Sequence, residues 1–475
     1  MPVATEVLTI AVAGIFIFGG VPVLIYTLIV LSLACLIRIK RLGKVLHWAI
    51  GIIYGLIIAF TINGISILWA LLFHAGKSYF VLYILAICLS ALLLLKFRPF
   101  NLRWYHGVLF SAVFILAASS AVLSQLRLSK GHELTKLPKG IEVVVDYEKI
   151  FKNEKKSITP RYLEFDPDEK TLFICNRVNA PNTRGSLLVH DMTSNATRIV
   201  DLRGMAAMGI KFDPFTDKLA VAAYNEAAPF VMKSERKSAL FWVDRAGEVS
   251  NSVAMNQNMA LYSIIYPTKD KVRIIFNNAQ MTYDRRSGAV SKRYFIIAVS
   301  IGAGTTNFME LPDRLVLCMS GPLLNMLFIP GILLFDREMK TIINSHTLID
   351  GGYVLGYDSK KEEIYTNAYW SGTLRVYDKN LNFLRKIKVG NVIRAIAIDS
   401  DRRTGYAVEY SSGDIIAFNL DTGRRHSLLS IGKGARALCI SRTGDLFAGS
   451  MNGIFRIPPN VWTQPPKTMP NQIVK

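Results

Sequence analysis

Residues 393–399 read Ile393-Arg-Ala-Ile-Ala-Ile-Asp, an apolar strand that ends in a polar turn, and a later strand of the same unit reads Gly413-Asp-Ile-Ile-Ala-Phe-Asn-Leu-Asp-Thr-Gly. Alternating apolar and polar side chains predict half-buried β-strands. The unit consists of an apolar strand, a turn rich in Asp, Lys or Arg, a second apolar strand, a loop and a third strand. Such a series of short strands is what a four-stranded propeller blade requires.

The same unit recurs along the second part of the chain. Clear examples begin with Tyr162-Leu-Glu-Phe-Asp-Pro-Asp-Glu-Lys and Gly209-Ile-Lys-Phe-Asp-Pro-Phe-Thr-Asp-Lys. Self-similarity with a period of roughly 40–50 residues is typical of propellers and related repeat folds. Seven repeats are found, and they begin at Tyr162, Gly209, Tyr262, Thr306, Val354, Ile393 and Arg436.

The ends of the repeat region predict how the ring closes. The last repeat supplies only three strands before Pro458-Pro459, while an extra strand, residues 141–147, precedes the first repeat. We expect this early strand to become the outer strand of the seventh blade, because ring closure removes exposed strand edges. The prediction is an all-β, seven-bladed propeller over residues 141–458.

This region resembles seven-bladed β-propellers of the YVTN and NHL-like kind over about residues 140–458. The likeness lies in the blade architecture, since no Trp-Asp dipeptide ends the blades as it does in WD40 repeats. Two fragments, Asp284-Arg-Arg-Ser-Gly and Asp421-Thr-Gly-Arg-Arg, resemble blade endings of quinoprotein dehydrogenases, but the stacking Trp of that motif is absent. The resemblance therefore implies a propeller scaffold and gives no cofactor.

The first part of the chain has a different composition. Of the 475 residues 51% are hydrophobic and 19% charged, which excludes a disordered protein. Residues 1–127 carry nine Lys or Arg and one acidic residue, Glu6, and their charge of +8 leaves +13 of the total +21 for the remainder. A membrane helix needs about 20 apolar residues. Four apolar runs near or above that length predict an α-helical transmembrane bundle of four spans, at residues 7–37, 45–74, 79–95 and 107–126.

Loop charges predict the orientation of these spans. Short loops rich in Lys and Arg stay in the cytoplasm, whereas a large following domain is translocated largely regardless of its charge. We therefore expect a multi-pass protein of the cell envelope in contact with the lipid bilayer, with an extracytoplasmic propeller that is periplasmic or extracellular. The seven residues predicted to set this topology are Arg38, Lys40, Arg41, Lys44, Lys96, Arg98 and Arg103.

A linker, residues 128–140, joins the two parts, and a Pro-rich tail, residues 459–475, follows the propeller. Such Pro-rich sequence predicts an extended, semi-rigid segment. The long inserts, which fall between second and third strands, are predicted to lie on the membrane-distal face of the ring. One insert contains an apolar run typical of a partner surface. The candidate partner-binding residues are Arg177, Arg184, Lys233, Arg236, Lys237, Leu327 and Phe328.

The leading functional hypothesis is a membrane-anchored recognition or scaffold subunit. Its distal loop face would bind a protein in a membrane complex or an anionic polymer, because rigid scaffolds with variable loops suit that task. Sequence-specific nucleic acid is not an expected partner. No catalytic, cofactor-binding or metal-binding residue is predicted, because no nucleophile elbow, zinc motif or phosphate loop occurs.

Two alternatives stay open at this point. The propeller could be an enzyme, a lactonase-like hydrolase or an oxidoreductase, and a channel-lining cluster of carboxylates and amides would favour that hypothesis. The helices could instead form a small-molecule conduit that the propeller regulates. The spans contain no Asp or Glu at mid-depth, where transporters carry such groups, and this counts against the conduit.

Overall fold

The computed structural model describes residues 137–463 apart from 152–157, 179–183, 226–237, 256–264, 277–278, 295–303, 321–330, 349–351, 369–370 and 411. The chain divides into two units, Met1–Gln125 and Leu126–Lys475, and all described residues belong to the second. The four predicted spans and their loop charges lie outside the described residues. Within the described part, no helix has the length and apolar character needed to cross a membrane.

The described chain begins with β1 (Glu142–Asp146) and a five-residue helix, α1 (Tyr147–Phe151). Seven four-stranded antiparallel blades then account for every further strand of the described residues. From the channel outward, blade one contains β2 (Thr159–Phe165), β3 (Thr171–Arg177), β4 (Leu187–Asp191) and β5 (Ala196–Ile199). Blade two contains β6 (Ala206–Asp213), β7 (Lys218–Tyr224), β8 (Ser238–Val243) and β9 (Val249–Ala254).

Blades three to five repeat this order. Blade three contains β10 (Ile265–Pro267), β11 (Lys271–Phe276), β12 (Ala279–Asp284) and β13 (Val290–Tyr294). Blade four contains β14 (Gly304–Glu310), β15 (Arg314–Ser320), β16 (Ile332–Asp336) and β17 (Ile342–His346). Blade five contains β18 (Gly352–Asp358), β19 (Glu363–Ala368), β20 (Thr373–Asp378) and β21 (Phe383–Lys388).

The last two blades complete the ring. Blade six contains β22 (Ile393–Asp399), β23 (Thr404–Glu409), β24 (Asp414–Asn419) and β25 (Arg425–Ser430). Blade seven contains β26 (Ala437–Ile440), β27 (Leu446–Ser450) and β28 (Gly453–Ile457), and its outer strand is β1. β1 pairs antiparallel with β28, so that Glu142 lies opposite Arg456. Since β26 also contacts β2, blades seven and one are neighbours, and the predicted seven-bladed propeller is confirmed.

The hydrophobic core lies between blades rather than at the channel. Phe173 of blade one packs with Phe212 and Phe241 of blade two, and similar clusters fill the other blade interfaces. The second and third strands are therefore buried on both faces, which explains their nearly continuous apolar sequence. Outer strands such as β5 have one face in solvent and alternate instead.

Strand direction gives the ring two distinct ends. The loops between second and third strands lie at one end together with the blade-to-blade connections, and we name this end the loop face. The turns between first and second strands and between third and fourth strands form the other end, the turn face. β1 begins and β28 ends at the turn face. Val178, Asn225 and Ser320, which come just before the described chain is interrupted in the three predicted inserts, therefore lie at the loop face, and residues 179–183, 226–237 and 321–330 of those inserts lie outside the described residues.

The start of the predicted tail differs from the expected extended conformation. Pro459–Thr463 forms a 3₁₀ helix. Val461 and Trp462 are buried against blades six and seven, and the Trp462 ring centroid lies 5.1 Å from that of Tyr406. Burial of an indole ring outweighs the extended preference of the flanking prolines, and Pro459 suits the first position of a helix because its missing N–H needs no partner there. Residues 464–475 lie outside the described residues.

Candidate binding site at the channel mouth

The inner strands share one irregularity at their loop-face ends. The pairing register shifts between Pro160 and Tyr162 in blade one and between Ile393 and Ala395 in blade six. Blades two, four and five shift at the corresponding place. A β-bulge of this kind inserts one residue and re-aims side chains near it. The inserted residues in blades one and six are arginines, Arg161 and Arg394.

Two further blades add to this set. Tyr353 lies within the register shift of blade five, and Arg436 directly precedes β26 of blade seven, where its backbone N–H donates to the carbonyl of Gly449 at 3.1 Å. Blades five, six, seven and one are consecutive around the ring. Their bulge-region side chains therefore converge on one side of the channel mouth, which opens on the loop face.

These side chains line a cavity of about 180 Å³. No Asp or Glu occurs among the described residues of its lining. Apart from short apolar side chains of the inner strands, the lining consists of Arg161, Tyr162, Asn307, Tyr353, Arg394 and Arg436. We name Arg161, Tyr353, Arg394 and Arg436 the channel-mouth cluster.

Tyr353 is the centre of the cluster. The Nη2 atom of Arg436 donates a hydrogen bond to its hydroxyl at 2.9 Å. The guanidinium of Arg394 lies over the aromatic ring, with its central carbon 4.5 Å from the ring centroid, in the geometry of a cation–π contact. The phenol thus holds two arginines from neighbouring blades in fixed positions at the channel wall.

Positive charge dominates the electrostatics of this site. Burial raises the pKa of Tyr353, but the charges of Arg436, Arg394, Arg161 and Arg177 outweigh that effect and lower the pKa to about 8. A phenol loses its proton more readily only where the surroundings favour a negative charge. The channel mouth is therefore an environment that favours anions.

The residues expected to bind a partner fall into two groups. Arg177 ends β3 and is exposed on the loop face, close enough to the cluster for its charge to act on Tyr353. Arg184 is exposed on the same face, three residues before β4. The other five, Lys233, Arg236, Lys237, Leu327 and Phe328, lie outside the described residues. Of the two described members of the predicted set, Arg177 is the one whose charge acts on Tyr353 at the channel mouth.

Reading the strand pattern alone does not find the channel-mouth cluster. Arg161 and Arg436 are separated by most of the propeller sequence, and only ring closure makes their blades neighbours. The repeats nevertheless contain the information, because the cluster residues stand at the same position within their repeats as Met208 and Thr306 do in blades two and four. Arranging the repeats in a circle places the charged residues on consecutive blades.

A second cavity, of about 490 Å³, opens at the turn face. Half of its lining is aromatic or proline, including Phe165, Phe212 and Phe215, and the other half is charged or polar. Lys211 in this lining forms an ion pair with Glu164 at 3.4 Å. The larger cavity thus places opposite charges together, and the smaller one collects charge of a single sign.

The enzyme alternative predicts a cluster of metal-ligating side chains or of carboxylates and amides in the channel. The described residues contain no group of three His, Cys, Asp or Glu side chains arranged to hold a metal ion. The carboxylate and amide cluster that would favour an enzyme is not found in the described cavity lining at the loop face, where Asn307 is the amide present. The arginines of the lining and the lowered pKa of Tyr353 support anion binding at this site.

No protein-family model and no curated protein matches the chain. Among solved structures, the chain is similar to the β-propeller domain of Myceliophteria thermophila Cps50 (Swd1), with 14% sequence identity, a TM-score of 0.47 and coverage of 62% of this chain and 96% of that chain. The seven-bladed architecture is established by the hydrogen-bonded order of the strands in each sheet and by the closure through β1.

Proposed function

We propose that this protein is a recognition and scaffold subunit whose propeller binds a protein partner through the loop face, at a negatively charged part of the partner's surface. The observation that carries the proposal is the convergence of Tyr353 and three arginines, in or next to the inner strands, at the channel mouth. Arg177 and Arg184 extend the positive surface outward from the cluster. Complementary charge accelerates encounter and selects among partners.

The ring suits such a role because its contact surface is preorganised. Cores between neighbouring blades hold the inner strands, so that the channel-mouth residues keep their positions before a partner arrives. Preorganisation lowers the entropic cost of association. The inserts predicted at the loop face would then supply selectivity, as loops on rigid scaffolds commonly do.

Membrane attachment is part of the proposal. The four apolar runs of residues 1–127 support an anchor, and the loop charges support an extracytoplasmic propeller. The described chain enters and leaves the propeller at the turn face, through β1 and β28. The loop face, at the other end of the ring, is the surface that we propose for a partner in a larger membrane complex.

Co-purification of the full-length protein from its native membranes tests this function. We expect a stoichiometric protein partner that is lost when Arg177→Glu and Arg184→Glu are combined. The matched control reverses two exposed arginines near the turn face, Arg424→Glu and Arg425→Glu, and should retain the partner.

Two outcomes would contradict the proposed function. A chain that purifies alone has no stable partner, and equal loss of the partner in both double variants would show a general charge effect. Capture of a polyanion in place of a protein would replace the protein partner by an anionic polymer and would also contradict the proposal as stated.

A further inference from the structure

We propose that the channel-mouth cluster forms a discrete pocket for a single oxyanion group, a carboxylate or a phosphate, with Arg161, Arg394 and Arg436 as its ligands. This inference rests on the proposed function and deepens it, because it gives the anion a defined binding position inside the channel. The exposed arginines Arg177 and Arg184 would attract a ligand, whereas the pocket would hold one of its groups.

The size of the cavity favours a group over a whole molecule. Sites for complete small ligands usually enclose about 300–1,000 Å³. The cavity at the loop face measures about 180 Å³, which is sufficient for one tetrahedral or planar oxyanion with a few water molecules. The remainder of the ligand would extend out of the channel toward the loop face.

The donors in the pocket have the chemistry that oxyanions require. Guanidinium groups present a rigid fork of N–H donors that matches carboxylate and phosphate oxygens. Tyr353 fixes two of these groups, Arg436 through its hydroxyl and Arg394 through its ring. Because Tyr353 already holds both guanidinium groups in position, they need little rearrangement to bind an anion.

The distribution of the arginines among the repeats also favours a ligand. The three arginines come from blades one, six and seven, so that no single repeat explains them. Met208 and Thr306 at the same phase show that the fold itself does not require a charged side chain at the bulge.

Isothermal titration of the full-length protein with inorganic phosphate, sulfate and acetate tests the pocket, with chloride at matched ionic strength as the reference anion. We expect saturable binding of at least one of the three oxyanions. Arg394→Gln and Arg436→Gln should each weaken that binding about tenfold or more, since each removes a charge-assisted hydrogen-bond donor.

The control variant is Arg425→Gln, which removes an equal charge from the outer strand of blade six. It should change oxyanion affinity less than about twofold, because an exposed charge far from the ligand is screened by salt. Circular dichroism and thermal unfolding of all variants separate lost binding from lost folding. Tyr353→Phe, which keeps the ring under Arg394, provides a milder change in the same pocket.

Folded wild-type protein that binds none of the oxyanions more tightly than chloride would overturn the inference. So would equal loss of affinity in Arg425→Gln and in the two pocket variants. The source of the anion is resolved with the captured complex. If the added oxyanion binds and releases the partner, the natural ligand of the pocket is an anionic group of the partner. If it binds without releasing the partner, the natural ligand is a free small anion. Both results support the pocket.

Failure of this inference is distinguishable from failure of the proposed function. A protein that loses its partner in the Arg177→Glu and Arg184→Glu variant but never binds phosphate, sulfate or acetate would retain the function and lose the pocket. A protein that binds an oxyanion but purifies without a partner would retain the pocket and lose the function.

Discussion

Asp358 and Arg403 show how a single pair of side chains joins two blades. Asp358 ends β18 of blade five, is fully buried, and accepts a hydrogen bond from Nη1 of Arg403 in blade six at 2.6 Å. Arg403 also bonds Asp421 at 2.8 Å. Arg245 of blade two forms an ion pair with Asp166 of blade one, and Arg285 of blade three forms one with Asp213 of blade two. The recurrent Asp of the repeats is therefore a structural link at the turn face.

Removing the arginine of such a link should destabilise the ring. Arg403→Met leaves the buried carboxylate of Asp358 without its charged partner, and we expect a loss of about 3 kcal/mol in the free energy of unfolding. Denaturant unfolding of Arg403→Met and of the control Arg424→Met, whose arginine is exposed, measures the difference. An equal, small effect in both variants would show that the link contributes little.

Tyr353 predicts a pH dependence of anion binding. Since its pKa is about 8, the phenol is neutral below that pH and negatively charged above it. The phenolate would then compete with a bound anion for the charges that face it, those of Arg436, Arg394, Arg161 and Arg177. Sulfate stays fully ionised throughout this range, so its affinity should fall as the pH rises through about 8.

The reciprocal effect provides a second measurement. By linkage, bound sulfate should raise the pKa of Tyr353, which absorbance of the tyrosinate band would report. Tyr353→Phe should retain sulfate affinity at alkaline pH. An affinity that falls in parallel in the wild type and in Tyr353→Phe would show that another group causes the pH dependence.

At the scale of elements, local patterns predict the blades well. Strand alternation and the repeat period depend on residues close in sequence. The number of blades, and the fact that the last repeat lacks one strand, can therefore be predicted from the sequence. The position of Arg161 and Arg394 in the channel depends instead on a bulge, which alternation does not reveal. The 3₁₀ helix at Pro459–Thr463 likewise depends on burial of Trp462 against two blades, which is a tertiary contact.

Closure of the ring through β1 leads to a prediction at the level of a single strand pair. Gly453, the first residue of β28, has a φ of 142°, and a Cβ atom there would overlap the backbone carbonyl of Val145 in β1. Gly453→Ala should therefore separate β1 from β28 and open the ring, at a cost above about 3 kcal/mol.

Gly288→Ala is the matched control for ring closure. Gly288 also has a positive φ, 70°, but its added Cβ would have no atom within 4 Å. Backbone strain alone should cost about 1 kcal/mol there. Thermal unfolding and limited proteolysis near residue 142 compare the two variants, and equal destabilisation would show that closure through β1 is not critical.

At the scale of the whole molecule, the charge of +21 has two separate origins. About +8 belongs to residues 1–127, where the loop charges predict orientation. The +13 on the remainder is the excess that is left after pairs such as Arg403–Asp358 and Arg245–Asp166 at the turn face have cancelled. The channel-mouth cluster is the part of the charge that the structure concentrates at a cavity.

The proposed topology is tested by protease access to intact cells. If the propeller is extracytoplasmic, protease added outside, after removal of any outer membrane, should cleave it while a cytoplasmic marker protein remains intact. Cleavage only after the cytoplasm is opened would refute the orientation drawn from Arg38, Lys40 and the other loop charges.

Recognition through the loop face is the central claim, and hydrogen–deuterium exchange with and without the co-purified partner tests it most directly. We predict slower exchange in the complex at the loop-face ends of the inner strands, in peptides that contain Arg161, Tyr353, Arg394 and Arg436. Exchange at the turn face, around Phe215, should be unchanged. Protection confined to the turn face, with none at the channel-mouth cluster, would contradict the claim.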